Sequence, residues 1–355
     1  MANTFFKAFS EADRTSSRTL LHEVIPITGS MVHSTYTATD NASTENIKTF
    51  SHAMFNSVYD YPHLSSSANH IFDVSYGYSS NAVYSTASTN TDHTKKLNIY
   101  SQMAQILAGF NASGSVREFD ADGDLSSGTK HSDAFFINFS RLLVKDEIKK
   151  GSFSMILGTG SAYSASSGHA SRLTINDTGS LTTYYTNSPA GEYGILSDKE
   201  SGKKLGLIYY QAGVAVLTSS VMQGPAGSAA GSVLMTGSLR GDIHSLATGS
   251  TISRIATGLT RRIHNISFNN TTELNSTIYF CRANHNEFNY SSNPTYLSSS
   301  TVRVKNNDNM NPPRSYVTTV GLYSADNELL AVAKLSEPLR KDPTNELTLR
   351  VRLDY

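Results

Sequence analysis

The sequence predicts a mainly β protein, with antiparallel sheets in sandwich-like modules, one substantial α-helix, and long loops or arms. Three observations carry that expectation. Short runs rich in Val, Ile, Phe and Tyr are separated by clusters of Gly, Asn, Asp and Ser, the composition of strands and their turns. At the carboxyl end the apolar residues alternate strictly: Leu347, Leu349, Val351 and Leu353 share one face, while Thr348, Arg350, Arg352 and Asp354 share the other. Helical spacing is sustained in one long segment only, Lys95–Ala108.

In chain order, Leu20–Ile27 is apolar at most positions but carries Pro26, which has no N–H to give a ladder, so it reads as an edge strand or extended arm. Ile71–Tyr78 is a second strand, rich in aromatic and β-branched residues. In the helix over 95–108, Leu97, Tyr100, Met103, Ala104 and Leu107 form the apolar stripe, Asp92 or Thr94 supplies the cap, and Gly109 ends it. Residues 134–157 read as strand (Phe135–Phe139), helical turn (Lys145–Lys150) and strand (Ser152–Leu157). Leu205–Leu217 is almost continuously apolar and predicts a fully buried central strand or hairpin. From Gln223 to Gly258 the chain is rich in Gly, Ala and Ser, and a long surface loop is expected, since such residues bury little area for the entropy that ordering costs. Arg262–Phe268 and Ser276–Cys281, joined by a polar turn at 269–273, read as a hairpin. Tyr316–Tyr323 and Glu328–Leu335, joined by Ser324–Asn327, read as another. These elements suggest three regions: an amino-terminal arm and mixed α/β region at 1–133, a β-rich middle domain at 134–261, and a carboxyl-terminal antiparallel module at 262–355.

Composition excludes several classes of function. The 29 basic and 29 acidic residues cancel, leaving none of the cationic surplus with which proteins displace counterions from nucleic acid. The single cysteine, Cys281, forms no intrachain disulfide or Cys-rich zinc site. No 18-residue apolar run predicts a membrane helix, and the first residues lack the pattern of a secretory signal.

Searching for chemistry yields fragments. Asp120-Ala-Asp-Gly-Asp124 starts like a calcium loop, but Leu125 and His131 stand where an EF-hand needs Gly and Glu, so a solvated acidic turn is expected and no metal is assigned. Gly158-Thr-Gly-Ser-Ala-Tyr163 lacks the third Gly of a dinucleotide fingerprint, and the Gly-Lys pair at 202–203 lacks the earlier Gly of a phosphate loop. His264 and His285 flank Cys281 without enough further ligands for zinc. No catalytic residue, cofactor site or metal site is assigned, and the chain is not expected to be an enzyme.

Two features suit contact with other proteins instead. Arg350 and Arg352, with Lys334, Arg340 and Lys341 nearby, are either solvated cations or partners for carboxylates of a neighbouring subunit. The segment 284–297 alternates Asn with aromatic residues at no regular period and continues through Arg303 to Arg314. Such a composition fits an arm laid across a partner, the alternative being an ordinary long loop. The candidate interface residues are Phe288, Tyr290, Asn293, Tyr296, Arg303, Arg314, Arg350 and Arg352.

The strings at 288–297, 316–341 and 349–355, together with Ser10-Glu-Ala-Asp-Arg-Thr15 and 65–73, resemble virion structural proteins of T4-like contractile-tailed bacteriophages, especially those of marine cyanobacteria. The resemblance implies a particle component of the tail, most of all the baseplate (wedge or periphery), assembled in the host cytoplasm and present in several copies, as a homo-oligomer or beside other tail proteins, with no nucleic acid or membrane partner. Neck, collar and fibre-attachment proteins share this β-rich character. Two readings from other classes stand beside it: a receptor-binding adhesin, suggested by the Tyr content, and a glycan-depolymerising hydrolase, which would draw its carboxylates from Asp120, Asp122, Asp124 and Asp133.

Overall fold

The structure, a computed structural model, describes residues 6–33, 46–158, 172–222, 247–289, 297–298, 301–302 and 314–355. It is mainly β, with large antiparallel sheets and few helices. The chain forms two units. A core unit comprises Leu21–Thr272, and a terminal unit combines Met1–Leu20 with Glu273–Tyr355. The three expected regions are therefore redrawn: the boundary at 133 falls within a strand, the amino-terminal segment joins the carboxyl-terminal one, and the division near 262 moves to the middle of a strand.

Through the core unit the elements are β1 (Arg14–Thr28), α1 (Gly29–His33), β2 (Ile47–Thr49), β3 (Asn56–Tyr59), β4 (His70–Tyr78), α2 (His93–Leu107), β5 (Phe119–Asp120), β6 (Lys130–His131) and β7 (Asp133–Phe139). They continue as α3 (Arg141–Val144), β8 (Glu147–Ile148), β9 (Ser154–Gly158), β10 (Arg172–Asn176), β11 (Tyr185–Ser188), β12 (Gly191–Asp198), β13 (Lys204–Tyr209), β14 (Val214–Thr218), α4 (Ile252–Thr260) and β15 (Ile263–Ala283). Beyond these come β16 (Leu297–Ser298), β17 (Thr301–Val302), β18 (Ser315–Tyr323), β19 (Leu329–Lys341) and β20 (Leu347–Asp354).

In the core unit the strand order is β15-β9-β10-β12-β13-β14-β7-β4-β3-β2, every neighbouring pair antiparallel. The apolar run 205–217 forms the β13–β14 hairpin near the centre, and its residues from Leu205 to Tyr210 and from Gly213 to Leu217 are buried, as strands covered on both faces must be. Helix α2 packs on β4, and its buried residues Lys96, Ile99, Tyr100, Ala104 and Leu107 recur at helical spacing. The approach is close enough that a Cβ on Gly77 would lie 2.6 Å from the Lys96 carbonyl oxygen. Gly109 ends the helix at φ +77°, donating to Ala104 O, the conformation glycine reaches without a Cβ penalty.

Three local expectations are corrected. The helical turn lies earlier, at α3, and Glu147–Ile148 pairs as a strand with Asn270 and Thr271. The expected hairpin at 262–281 is one 21-residue strand, β15. Its supposed turn is held open by partners distant in sequence: Asn270 donates to Leu143 O (2.9 Å) and accepts from Glu23 N (3.2 Å). The expected loop over 223–258 ends in a buried helix, α4, whose Ile252, Ile255, Ala256 and Leu259 form one apolar face. Thr251 caps it by accepting from Arg254 N. Residues 223–246 of that segment lie outside the described residues.

In the terminal unit, β20 pairs with β15 from Ser276↔Asp354 to Ala283↔Leu347. Its alternation survives: Leu347, Leu349, Val351 and Leu353 are half-buried and the residues between them exposed. Strands β18 and β19 form the expected hairpin about the turn at 324–327, where Asn327 takes φ +64°.

Candidate functional site

The distribution of buried apolar residues sets the two units apart. Among the described residues, the buried hydrophobic side chains all belong to the core unit except one, Leu322, which is 6% exposed. Among the described residues the terminal unit has sheets but closes no core. Its β18–β19 hairpin pairs with no other described strand, and a two-stranded hairpin alone is marginal in water. Along it, Tyr316, Tyr323, Leu329, Leu330 and Val332 are exposed, Leu330 to 67%. Where a core would sit there is a cavity of about 560 Å³ lined by Phe6, Phe9, Phe280, Cys281, Leu347 and Leu349 among others. Burial in these apolar surroundings raises the Cys281 thiol above its usual pKa, which disfavours the reactive thiolate.

The frame of this unit is polar. Asp13 pairs with Arg282 (2.9 Å) and Lys7 with Glu287 (2.6 Å), so the amino-terminal segment is tied to the end of β15 and to the chain just beyond it. Phe6 packs on Tyr323 and Phe9 on Tyr279, with ring centroids 4.6 and 5.3 Å apart. Lys341 is fully buried. Its Nζ donates to Asn289 Oδ1 (2.7 Å), Asp342 O (2.9 Å) and His285 O (3.3 Å).

The expected basic cluster and interface residues are placed as follows. Lys341 does not belong to an exposed basic cluster; it anchors the start of the expected arm, and Ser315 helps by donating to Phe288 O. Arg340 pairs with Asp342 at 2.7 Å. Arg352 satisfies itself within the chain, through Asp354 (2.7 Å) and Ser276 Oγ (3.1 Å). Arg350 is exposed opposite Phe280. Phe288, at φ +53°, is exposed beside the cavity, and Arg314 is half-buried just before β18. Tyr290, Asn293, Tyr296 and Arg303 lie outside the described residues.

A second constellation stands in the core unit. The ladder pairs Phe119↔His131 and Asp120↔Lys130 close a loop that carries Asp120, Asp122 and Asp124, and the three carboxylates offer oxygens within 4.8 Å of one another. Of the solvated acidic turn expected here, Asp124 is exposed and Asp122 half-buried, but the Asp120 side chain is completely buried. Asp133 does not join the group. It lies in β7, where it accepts from the Tyr76 hydroxyl (3.2 Å), and burial raises its carboxyl pKa. Of the four carboxylates named for a hydrolase, Asp120, Asp122 and Asp124 gather, with Asp120 buried and Asp124 exposed, and Asp133 stands apart.

Comparison with protein families, curated proteins and solved structures returned no match to this chain. The functional reading therefore rests on its own geometry.

Among the described residues no helix is long and apolar enough to cross a membrane. The arrangement most unlike a self-sufficient domain is the terminal unit: a framed pair of sheet pieces, an open apolar cavity and an exposed apolar hairpin. Sequence reasoning located the hairpin by two strand-like runs and the turn between them but missed its exposure, because such runs do not show whether the chain itself covers them.

Proposed function

We propose that this protein is a structural subunit of a contractile-tailed phage particle, in the baseplate or its periphery, and that its terminal unit is completed by a neighbouring tail subunit. One observation carries the reading: strands that bury a single large apolar side chain among the described residues while exposing five along one hairpin. Apolar side chains gain by removal from water, and five left exposed along one hairpin offer a partner area to bury. The core unit supplies the rigid anchor, and the hairpin and cavity supply the contact. The mechanism is geometric: partner side chains fill the cavity and cover Leu330 and Val332, and shape complementarity decides which partner is accepted. Neutral overall charge agrees with dense packing of copies, since no strong field of one sign opposes assembly.

The test is thiol accessibility in intact particles. A Leu330→Cys variant is treated with a thiol-reactive polyethylene glycol before and after disassembly, with wild type as the control for Cys281. The reading expects protection in the particle and full labelling of the free subunit. Equal labelling in both states would show that no neighbour covers the hairpin. A photo-crosslinker at the same position then distinguishes a tail protein, a fibre-attachment partner and a second copy of this chain.

A further inference from the structure

We infer that the loop Asp120–Lys130 binds a single Ca²⁺ ion through the carboxylates of Asp120, Asp122 and Asp124, at a site independent of the assembly surface. Two observations converge. The three carboxylate oxygens lie within 4.8 Å of one another. Separately, Asp120 Oδ1 is buried and has no hydrogen-bond partner. Its sister oxygen, Oδ2, is taken by Lys130 Nζ at 2.6 Å, so the orphaned oxygen is the one left to face the cluster. A desolvated carboxylate oxygen with no donor is costly, and a cation held between the three groups removes that cost. Asp120 Oδ1 and Asp122 Oδ2 both border the space over Gly128, at 3.7 and 2.9 Å from where a Cβ would stand; glycine, at φ +95°, keeps that space open.

The loop is held in place before any ion arrives. The Tyr100 hydroxyl, from α2, donates to His131 O (2.6 Å) and accepts from Phe119 N (3.3 Å), gripping both strands of the closing ladder. Tyr185 donates to Asp122 O (2.7 Å), Tyr193 to Gly123 O (2.7 Å) and Asn187 to Asp124 O (3.2 Å). Leu125 takes the left-handed φ of +60° at the position where a calcium loop ordinarily places glycine. Those three carbonyls each already accept a hydrogen bond, and the ligands that remain, carboxylates, further loop carbonyls and water, are all oxygens. An all-oxygen donor set selects a hard cation. Three oxygens within 4.8 Å of one another fit around one Ca²⁺ ion, whose ligands stand 2.3–2.6 Å from it and up to roughly 4.6–5.2 Å from each other.

Terbium luminescence sensitised by the neighbouring tyrosines, with displacement by CaCl₂ or MgCl₂, tests the site on the full chain. Wild type should bind one Tb³⁺, released by Ca²⁺ with a Kd of about 10⁻⁵–10⁻³ M and by Mg²⁺ at higher concentration. Asp122→Asn, which keeps the shape of a partly exposed side chain, should weaken binding at least about tenfold. Lys130→Met should tighten it by about fourfold or more, because it removes a competing charge; a merely structural salt bridge would not produce that gain. Thermal unfolding of each variant without metal reports whether it folds. No saturable binding by wild type, or equal binding by a folded Asp122→Asn protein, would overturn the inference.

Discussion

Replacing Leu330 with Lys separates folding from assembly. Leu330 is 67% exposed on a hairpin that pairs with no other described strand, so the substitution removes little that the chain itself has buried. The free subunit should keep its stability within about 0.5 kcal/mol. In the particle the balance differs. Full burial of a leucine side chain contributes about 1.5–3 kcal/mol, and two thirds of that, about 1–2 kcal/mol, is still available to a partner. An ammonium group facing the same apolar surface adds a desolvation cost of several kcal/mol unless it reaches water. Together these exceed about 3 kcal/mol, at least a hundredfold in affinity. The assay is complementation with the variant, its copy number in purified particles measured by quantitative mass spectrometry, alongside thermal unfolding of the free protein. Incorporation at wild-type copy number would refute the reasoning, since it would mean that no partner buries this residue.

Other predictions concern the core unit. Gly77→Ala places a Cβ 2.6 Å from Lys96 O and 2.8 Å from Tyr100 N, both backbone atoms of α2, and should cost about 1–3 kcal/mol in denaturant unfolding; an unchanged midpoint would contradict the tight seating of the helix on β4. Lys96 is buried and donates to the carbonyls of Thr91, Ala247 and Ser250, each at 2.7 Å. Lys96→Met strands those acceptors and should lower stability by about 3 kcal/mol or more, with faster hydrogen exchange at 247–252. His131 has its pKa lowered by burial to about 4, whereas the unfolded imidazole protonates near 6.5. The unfolded chain then binds more protons between those values, so this contribution to stability is complete above pH 6.5 and falls by about 3 kcal/mol as pH drops to 4. His131→Gln should flatten that part of the stability profile, and an unchanged slope would mean that other groups set it.

What the sequence discloses depends on how local the determining physics is. The β20 alternation, the β18–β19 turn and the α2 stripe are set by neighbours within a few residues, and each lies within two residues of its expected bounds. The misses come from partners far away along the chain. Asn269–Glu273 has the composition of a turn, yet Asn270 and Thr271 pair with β8 and are buried there. The α4 stripe was present at Ile252, Ile255, Ala256 and Leu259, but averaging composition over a long Gly-rich stretch concealed it. Lys341 reads as a surface cation until its three acceptors are seen. The acidic string 120–124 shows a similar limit. Its spacing is legible, whereas the burial of Asp120 depends on β6 and on the tyrosines of α2, β11 and β12.

Cryo-electron microscopy of particles carrying this protein tests the central claim most directly. The account predicts density for the chain in the tail, with the β18–β19 hairpin covered and the 560 Å³ cavity of the terminal unit filled by side chains of a neighbouring subunit. A map in which every copy turns that hairpin to solvent with its cavity empty, or from which the chain is missing, would contradict it.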